Sequence, residues 1–150
     1  MTTLKIGDKA PKFCSLNQNK EKICLSDFLG KKLVLFFYPK ASTPGCTLEA
    51  CNLSENHIRF IQSGYNILGV SADSPMRQLN FKNKNALAYD LISDEEKQVI
   101  KLYGVWGPKK FMGKEYDGIH RTTFIIDEQG SIIDIIQKVN TKDHASQILK

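Results

Sequence analysis

An α/β fold built on a mixed central sheet is what this sequence predicts, and three observations predict it. The unbroken apolar run Leu33 to Tyr38 has the length and the aromatic and branched content of a strand covered on both faces. Strand-like and helix-like segments then alternate along the chain, as they do in parallel βαβ units. Near the end, Thr122 to Ile126 and Ile132 to Ile136 read as an antiparallel pair joined across Asp127-Glu128-Gln129-Gly130.

Each element has its own local cause. Phe13 to Leu16 and Lys22 to Leu25 flank the polar turn Asn17-Gln18-Asn19 and read as an N-terminal hairpin. Ser26-Asp27 can cap a short helical turn through Gly30. The strand Leu33 to Tyr38 ends at Pro39. A long helix is expected from Pro44 to Ser63, with Thr43 as N-cap and Pro44 at the first helical position. Ala50, Leu53, His57, Ile58 and Ile61 mark one face of it, and Gly64 stops it. Asn66 to Ser71 is the next strand. Ser74 caps a helix to Lys84, with Pro75 behind it. Leu91-Ile92 is a short strand, Asp94 to Tyr103 a helix, and Asp143 to Lys150 a last short helix. The order βαβ…ββα, with an N-terminal hairpin added, is that of a thioredoxin-like fold.

Composition narrows the function classes. At 150 residues the chain has the size of a single domain, 1–150. With 41% hydrophobic and 25% charged residues it is neither disordered, collagen-like nor coiled coil. Its longest apolar run is far short of the roughly 20 residues that span a bilayer. The start MTTLKIGDKAPKF has no apolar signal core, so the cytoplasm is the expected compartment. The net charge of +5 invites a nucleic-acid reading, but only Arg59, Arg77 and Arg121 are arginines and the lysines are scattered. A solvated lysine surface, with no nucleic-acid or membrane partner, is the better account.

Cysteines stand at 14, 24, 46 and 51. Cys46 falls in the first turn of the long helix, beyond the carboxyl end of the central strand. Free backbone N–H groups and the helix dipole stabilise a thiolate there, so Cys46 is a candidate nucleophile. Cys51 lies on the same helix. Five residues of intact helix separate Cα atoms by about 8.7 Å, beyond the roughly 7 Å limit of a disulfide. The two can bond only if the first turns unwind. Arg121, at a strand start, can bring a fixed positive charge to Cys46. Glu49, three residues after Cys46, either orients Arg121 or is an exposed helix glutamate. There is no Cys-x-x-Cys pair and no paired zinc pattern, so neither a thioredoxin-type dithiol nor a metal site is expected.

The run FYPKASTPGCTLEAC (37–51) and the later IHRTTFIID (119–127) resemble the peroxiredoxins, most closely the peroxiredoxin Q or bacterioferritin comigratory protein group. The resemblance extends through GDKAPKF near the start, LGVSADS (68–74) and YGVWGPKKFMGKEYDGI (103–119). It implies a thioredoxin-like fold and a thiol peroxidase that uses no metal, haem or flavin. It implies that Cys46 is the peroxidatic cysteine and that Cys51 matches the resolving one. Thr43 would touch thiolate and peroxide, Arg121 would polarise the peroxide, and Pro39 would shield the site from water. The Gly45 and Cys46 amides would complete the oxygen pocket. The substrate would be hydrogen peroxide or an alkyl hydroperoxide, the reductant thioredoxin or glutaredoxin, and the working form a monomer or weak dimer. Cys14 and Cys24 lie outside the motif and are expected as small apolar packing residues, with Cys24 open as an alternative resolving partner. Trp106 and Tyr116 are expected in the core, with an entry or docking surface as the alternative. A thiol-based sensor without turnover and a structural fold with buried cysteines are the competing readings.

Overall fold

The computed structural model describes residues 2–150. Nine strands and five α-helices follow in the order β1 (Cys14–Asn17), β2 (Lys22–Cys24), β3 (Lys32–Phe37), α1 (Pro44–Glu55), α2 (His57–Gln62), β4 (Tyr65–Ser71), α3 (Pro75–Asn85), β5 (Asp90–Ser93), α4 (Gln98–Leu102), β6 (Trp106–Phe111), β7 (Lys114–Ile119), β8 (Thr122–Ile126), β9 (Ile132–Ile136) and α5 (His144–Ile148). Seven of the strands form one mixed sheet in the order β2-β1-β5-β4-β3-β8-β9. At its centre β3, β4 and β5 run parallel, while each pairing outward, β3 with β8 and β8 with β9 on one side, β5 with β1 and β1 with β2 on the other, is antiparallel.

The alternation of side chains along β3 divides the interior. Leu33, Leu35 and Phe37 join Leu68, Val70, Ile92, Tyr103 and Phe124 in one core. Val34, Phe36 and Tyr38 point the other way, into a second core with Cys46, Ala50 and Leu53 of α1, Phe81 of α3 and Ile148 of α5. Both faces are covered, which is why the run Leu33 to Tyr38 carries no polar residue.

Several sequence expectations need correction. The long helix breaks at Asn56. The Asn56 amide donates to the Asn52 carbonyl at 2.8 Å, competing with its own backbone N–H, which reaches that carbonyl at 3.3 Å. After the break the buried residue is Phe60, and Ile58 and Ile61 are exposed. The helix expected from Asp94 begins only at Gln98. Asp94 instead folds its carboxylate over a turn to accept from the Gln98 and Ile100 amides. The short turn runs over Leu25–Phe28 with Cys24 at its N-cap, and Asp27 caps it from within by accepting from the Cys24 amide.

The two-stranded β6–β7 hairpin had no sequence expectation at all. Its turn, Met112-Gly113, takes positive φ at both positions, as a two-residue hairpin turn needs, but lacks the usual Asn or Asp. Tyr116 on this hairpin is exposed, not core, while Trp106 is half-buried against the first core. No described helix is long and apolar enough to cross a membrane.

Cys14 and Cys24 are not packing residues; they form a disulfide. They face each other across β1 and β2, and the Cys24 amide is given to Asp27 rather than to the ladder. Such a pair has its side chains close together. Cys14 is exposed on the edge hairpin, where little apolar packing is available to it. A cavity of about 810 Å³ lies beside this disulfide, between Lys9, Leu25 and Gly130, and shares no residue with the helix that carries Cys46.

Candidate active site

Pro39 to Thr43 carries the chain from the end of β3 to the start of α1. A buried polar network holds this loop. Asp73 Oδ2 accepts from the Ala41 amide at 2.7 Å and from the Ser71 hydroxyl at 2.7 Å. Gln78 donates to the Ser71 hydroxyl and to the Ile92 carbonyl, and its Oε1 accepts from the Tyr38 hydroxyl at 2.6 Å. Every one of these groups is buried and paired, which makes the network rigid. Sequence reasoning assigned no role to Tyr38, Asp73 or Gln78. The stretch Ser71 to Ser74 read only as a strand end and a helix cap.

Thr43 is the N-cap of α1 by backbone geometry, but its hydroxyl does not cap. It donates to the Lys40 carbonyl at 2.7 Å. The Thr47 amide closes the first turn on the Thr43 carbonyl at 2.9 Å. The Gly45 and Cys46 amides of that turn have no intrahelical acceptor, as the first residues of any helix do not. Cys46 itself is 1% exposed and its thiol is free.

Arg121 reaches this sulfur from the start of β8. Its Nη2 lies 3.5 Å from Cys46 Sγ, and its Nη1 donates to Glu49 Oε1 at 2.7 Å. Gly45 leaves room for the approach: a Cβ there would stand 3.2 Å from Nη2, close enough that the guanidinium would have to shift by a few tenths of an ångström. Glu49 is fully buried on α1, which settles its two sequence readings in favour of a partner for Arg121. Burial drives the Glu49 carboxyl up to about 7 against the pull of Arg121. Burial also opposes the charge of Arg121, but the Cys46 sulfur and the Glu49 carboxylate outweigh it and hold the guanidinium above its ordinary value. Lys109 of β6, missed in the sequence, adds a second cation whose value burial and Arg121 lower and the Cys46 sulfur raises. Nothing in the spacing of Lys109 could have revealed it, because it depends on how the β6–β7 hairpin folds back.

Pro39 is half-buried directly after Tyr38. Cys51 is a free, half-buried thiol on the unbroken α1, and its sulfur donates to Asn85 Oδ1 of α3 at 3.7 Å. Burial, with the Glu55 carboxylate, raises its thiol above the ordinary value. The structure therefore brings Cys46, Arg121, Glu49 and Gly45 together and leaves Cys51 facing α3. Chemically the site offers a buried sulfur on a helix N-terminus, a cation beside it and free amides: a nucleophile with a ready place for negative charge.

Residues 6–135 match the AhpC/TSA family. The chain is 46% identical over 149 residues to the putative peroxiredoxin bcp of Haemophilus influenzae, covering 99% of this chain and 96% of that protein. It is 43% identical over 148 residues to peroxiredoxin Bcp of Bacillus subtilis, covering 99% and 94%. Among solved structures, a PrxQ mutant of Xylella fastidiosa superposes with a TM-score of 0.92 at 29% identity, covering 99% of this chain and 95% of that one. The bacterioferritin comigratory protein of Xanthomonas campestris, described for its alkyl peroxide reduction activity, superposes with a TM-score of 0.88 at 31% identity, covering 99% and 95%.

Proposed function

The chain belongs to the AhpC/TSA family as a peroxiredoxin of the Bcp and peroxiredoxin Q kind, and on that premise we propose how its own residues reduce hydrogen peroxide and organic hydroperoxides. The observation that carries the reading is the buried Cys46 sulfur on a helix N-terminus with Arg121 Nη2 at 3.5 Å. The Cys46 thiolate attacks the terminal peroxide oxygen. The S–O bond forms as the O–O bond breaks, and the departing oxygen takes a proton and leaves as water or an alcohol. Arg121 and the Gly45 and Cys46 amides stabilise its negative charge as it develops. The Thr43 hydroxyl gives its hydrogen to Lys40 O, so its lone pairs are left to accept the hydrogen of the incoming peroxide. Pro39 keeps bulk water from the sulfur.

Cys46 is then a sulfenic acid. Cys51 attacks it, a disulfide forms and water leaves. The unbroken helix between the two cysteines supports a local unwinding before this step. A reduced thioredoxin dithiol then exchanges with the disulfide, leaving two protein thiols and oxidised thioredoxin.

Peroxide consumption coupled to thioredoxin, thioredoxin reductase and NADPH tests the scheme. Cys46→Ser is expected to abolish turnover, and retained turnover overturns the assignment. Cys51→Ser is expected to consume one equivalent of peroxide and then stall, whereas recycling at the wild-type rate removes Cys51 from the resolving role. Stoichiometric oxidation of the unmodified chain without turnover would identify a sensor instead.

A further inference from the structure

Glu49 presents a buried acceptor that the peroxide chemistry does not use. Arg121 takes Oε1, but Oε2 has no hydrogen-bond partner among the described residues. His144 Nε2 lies 3.6 Å from it. His144 is the first residue of α5 and is fully buried. Its Nδ1 is 2.6 Å from Gln147 Oε1, which also accepts from the Asn140 amide. An amide oxygen only accepts, so Nδ1 carries the hydrogen. In the neutral ring Nε2 then accepts from Thr123 Oγ1, 2.7 Å away. Burial keeps the ring below its ordinary value. The ionisable groups facing it are Glu49 of α1 and Arg121 at the head of β8; Thr123 and Gln147 are neutral.

Two further bonds tie α5 to α1. The Ala145 amide donates to Asn52 Oδ1 at 2.7 Å, and Asn52 Nδ2 donates to the Lys142 carbonyl at 3.3 Å. Glu49 sits on α1 between Cys46 and Cys51, in the stretch that unwinds if those two sulfurs are to meet. Each unwinding would therefore draw the Glu49 carboxylate out from between Arg121 and His144.

We infer that His144 is a positioning residue: from α5 it holds Glu49, and through Glu49 it both aims Arg121 at Cys46 and restrains the unwinding of α1. The restraint limb rests on the reading of Cys46 and Cys51 as the disulfide pair; the aiming limb does not. A proton taken up by the pair turns the 3.6 Å contact between Oε2 and Nε2 into an attraction, where a carboxylate otherwise faces a ring lone pair; if the ring carries it, Thr123 Oγ1 accepts instead of donating.

Two polar substitutions separate the ring positions. His144→Asn reaches only the Nδ1 position, so it keeps a contact with Gln147 and withdraws the group facing Glu49. His144→Gln reaches the Nε2 position and can present an N–H to Oε2. Single-turnover peroxide consumption and, by rapid quench with thiol alkylation, Cys46–Cys51 disulfide formation are measured in the full chain. His144→Asn is expected to slow the first and speed the second, each by about ten-fold, the size of one lost buried polar contact. His144→Gln is expected to stay near the unmodified protein in both. Changes in the same direction, no change, or Gln behaving as Asn would overturn the inference. In a Glu49→Gln background His144→Asn is expected to add nothing to either rate, and an undiminished effect there also overturns it. If Cys51→Ser fails to stall recycling, the disulfide-pair reading falls, while the peroxide limb of this test still decides the role of His144.

Discussion

A carboxylate taken out of water persists only where its charge is answered, and Glu49 is answered firmly at Oε1 and not at Oε2. That imbalance has a pH consequence. Burial raises the Glu49 carboxyl to about 7 in the folded site, and unwinding of α1 returns it toward its ordinary 4.5. The folded site thus holds a proton that the unwound one releases. A raised group stabilises the folded form fully below the unwound value and loses that contribution as pH rises through about 7. His144, lowered by burial, works in the opposite sense as pH falls toward and below its ordinary 6.5. Between about pH 6.5 and 8, release of the Glu49 proton favours unwinding by about four-fold, against at most about two-fold the other way from a His144 freed by the unwinding, so unwinding is expected to become about two- to four-fold more favourable. Hydrogen exchange of the α1 amides, corrected for intrinsic rates, reads this in a Cys46→Ser, Cys51→Ser protein, which removes both thiols from the titration. Equal opening at the two pH values would contradict it.

Among the elements, the N-terminal hairpin and α1 carry different sulfur chemistry. The hairpin disulfide joins residues ten apart in sequence across neighbouring strands, and its neighbours Phe13 and Leu25 pack in the core opposite to that of Cys46. It therefore acts on stability rather than on peroxide. Cys14→Ser is expected to cost about 2–3 kcal/mol by the loop-closure estimate while leaving the rate of peroxide consumption unchanged. Thermal melting compares the variant with the oxidised protein; an unchanged Tm, or a lost peroxidase rate, would refute the separation. In α1 the corresponding feature is what the helix keeps apart. Its second cysteine is turned toward Asn85 while its first faces Arg121, so the intact helix holds the two thiols apart.

Over the whole molecule, the central sheet is tightly filled at Gly69, where side chains from the strands on either side close over β4. A Cβ built there would lie 2.8 Å from Leu91 Cδ2 and 2.9 Å from Phe36 Cζ. Phe36 in turn stacks on Tyr38, whose hydroxyl anchors Gln78 in the network behind the active loop. Gly69→Ala is expected to destabilise by about 1–3 kcal/mol through overpacking. Denaturant unfolding reads this as a lowered midpoint with little change in slope, and an unshifted midpoint would show that Leu91 and Phe36 can move aside.

The sequence by itself determined the alternation of strands and helices, the buried central strand and the placing of Cys46 at a helix start. Each of these depends on neighbours a few residues apart: an apolar run, a Thr-Pro lead into a helix, a fixed spacing of two cysteines. Its local signals failed where a side chain competed with the backbone, as Asn56 does in the middle of the expected long helix and Asp94 ahead of α4. They failed also at the β6–β7 hairpin, whose strands are largely exposed and so carry little alternation, and whose turn lacks Asn. Only the tertiary structure decided that Cys14 faces Cys24, that Glu49 is buried rather than exposed, and that Arg121 and His144 meet at one carboxylate, with Arg121 also reaching one sulfur. Those partners lie up to about a hundred residues apart, and nothing local to any of them records which strand or helix it will meet. Burial, charge and register at that distance are properties of the packed sheet, and they turn a reactive-looking cysteine into a site with a defined cation and a restrained helix.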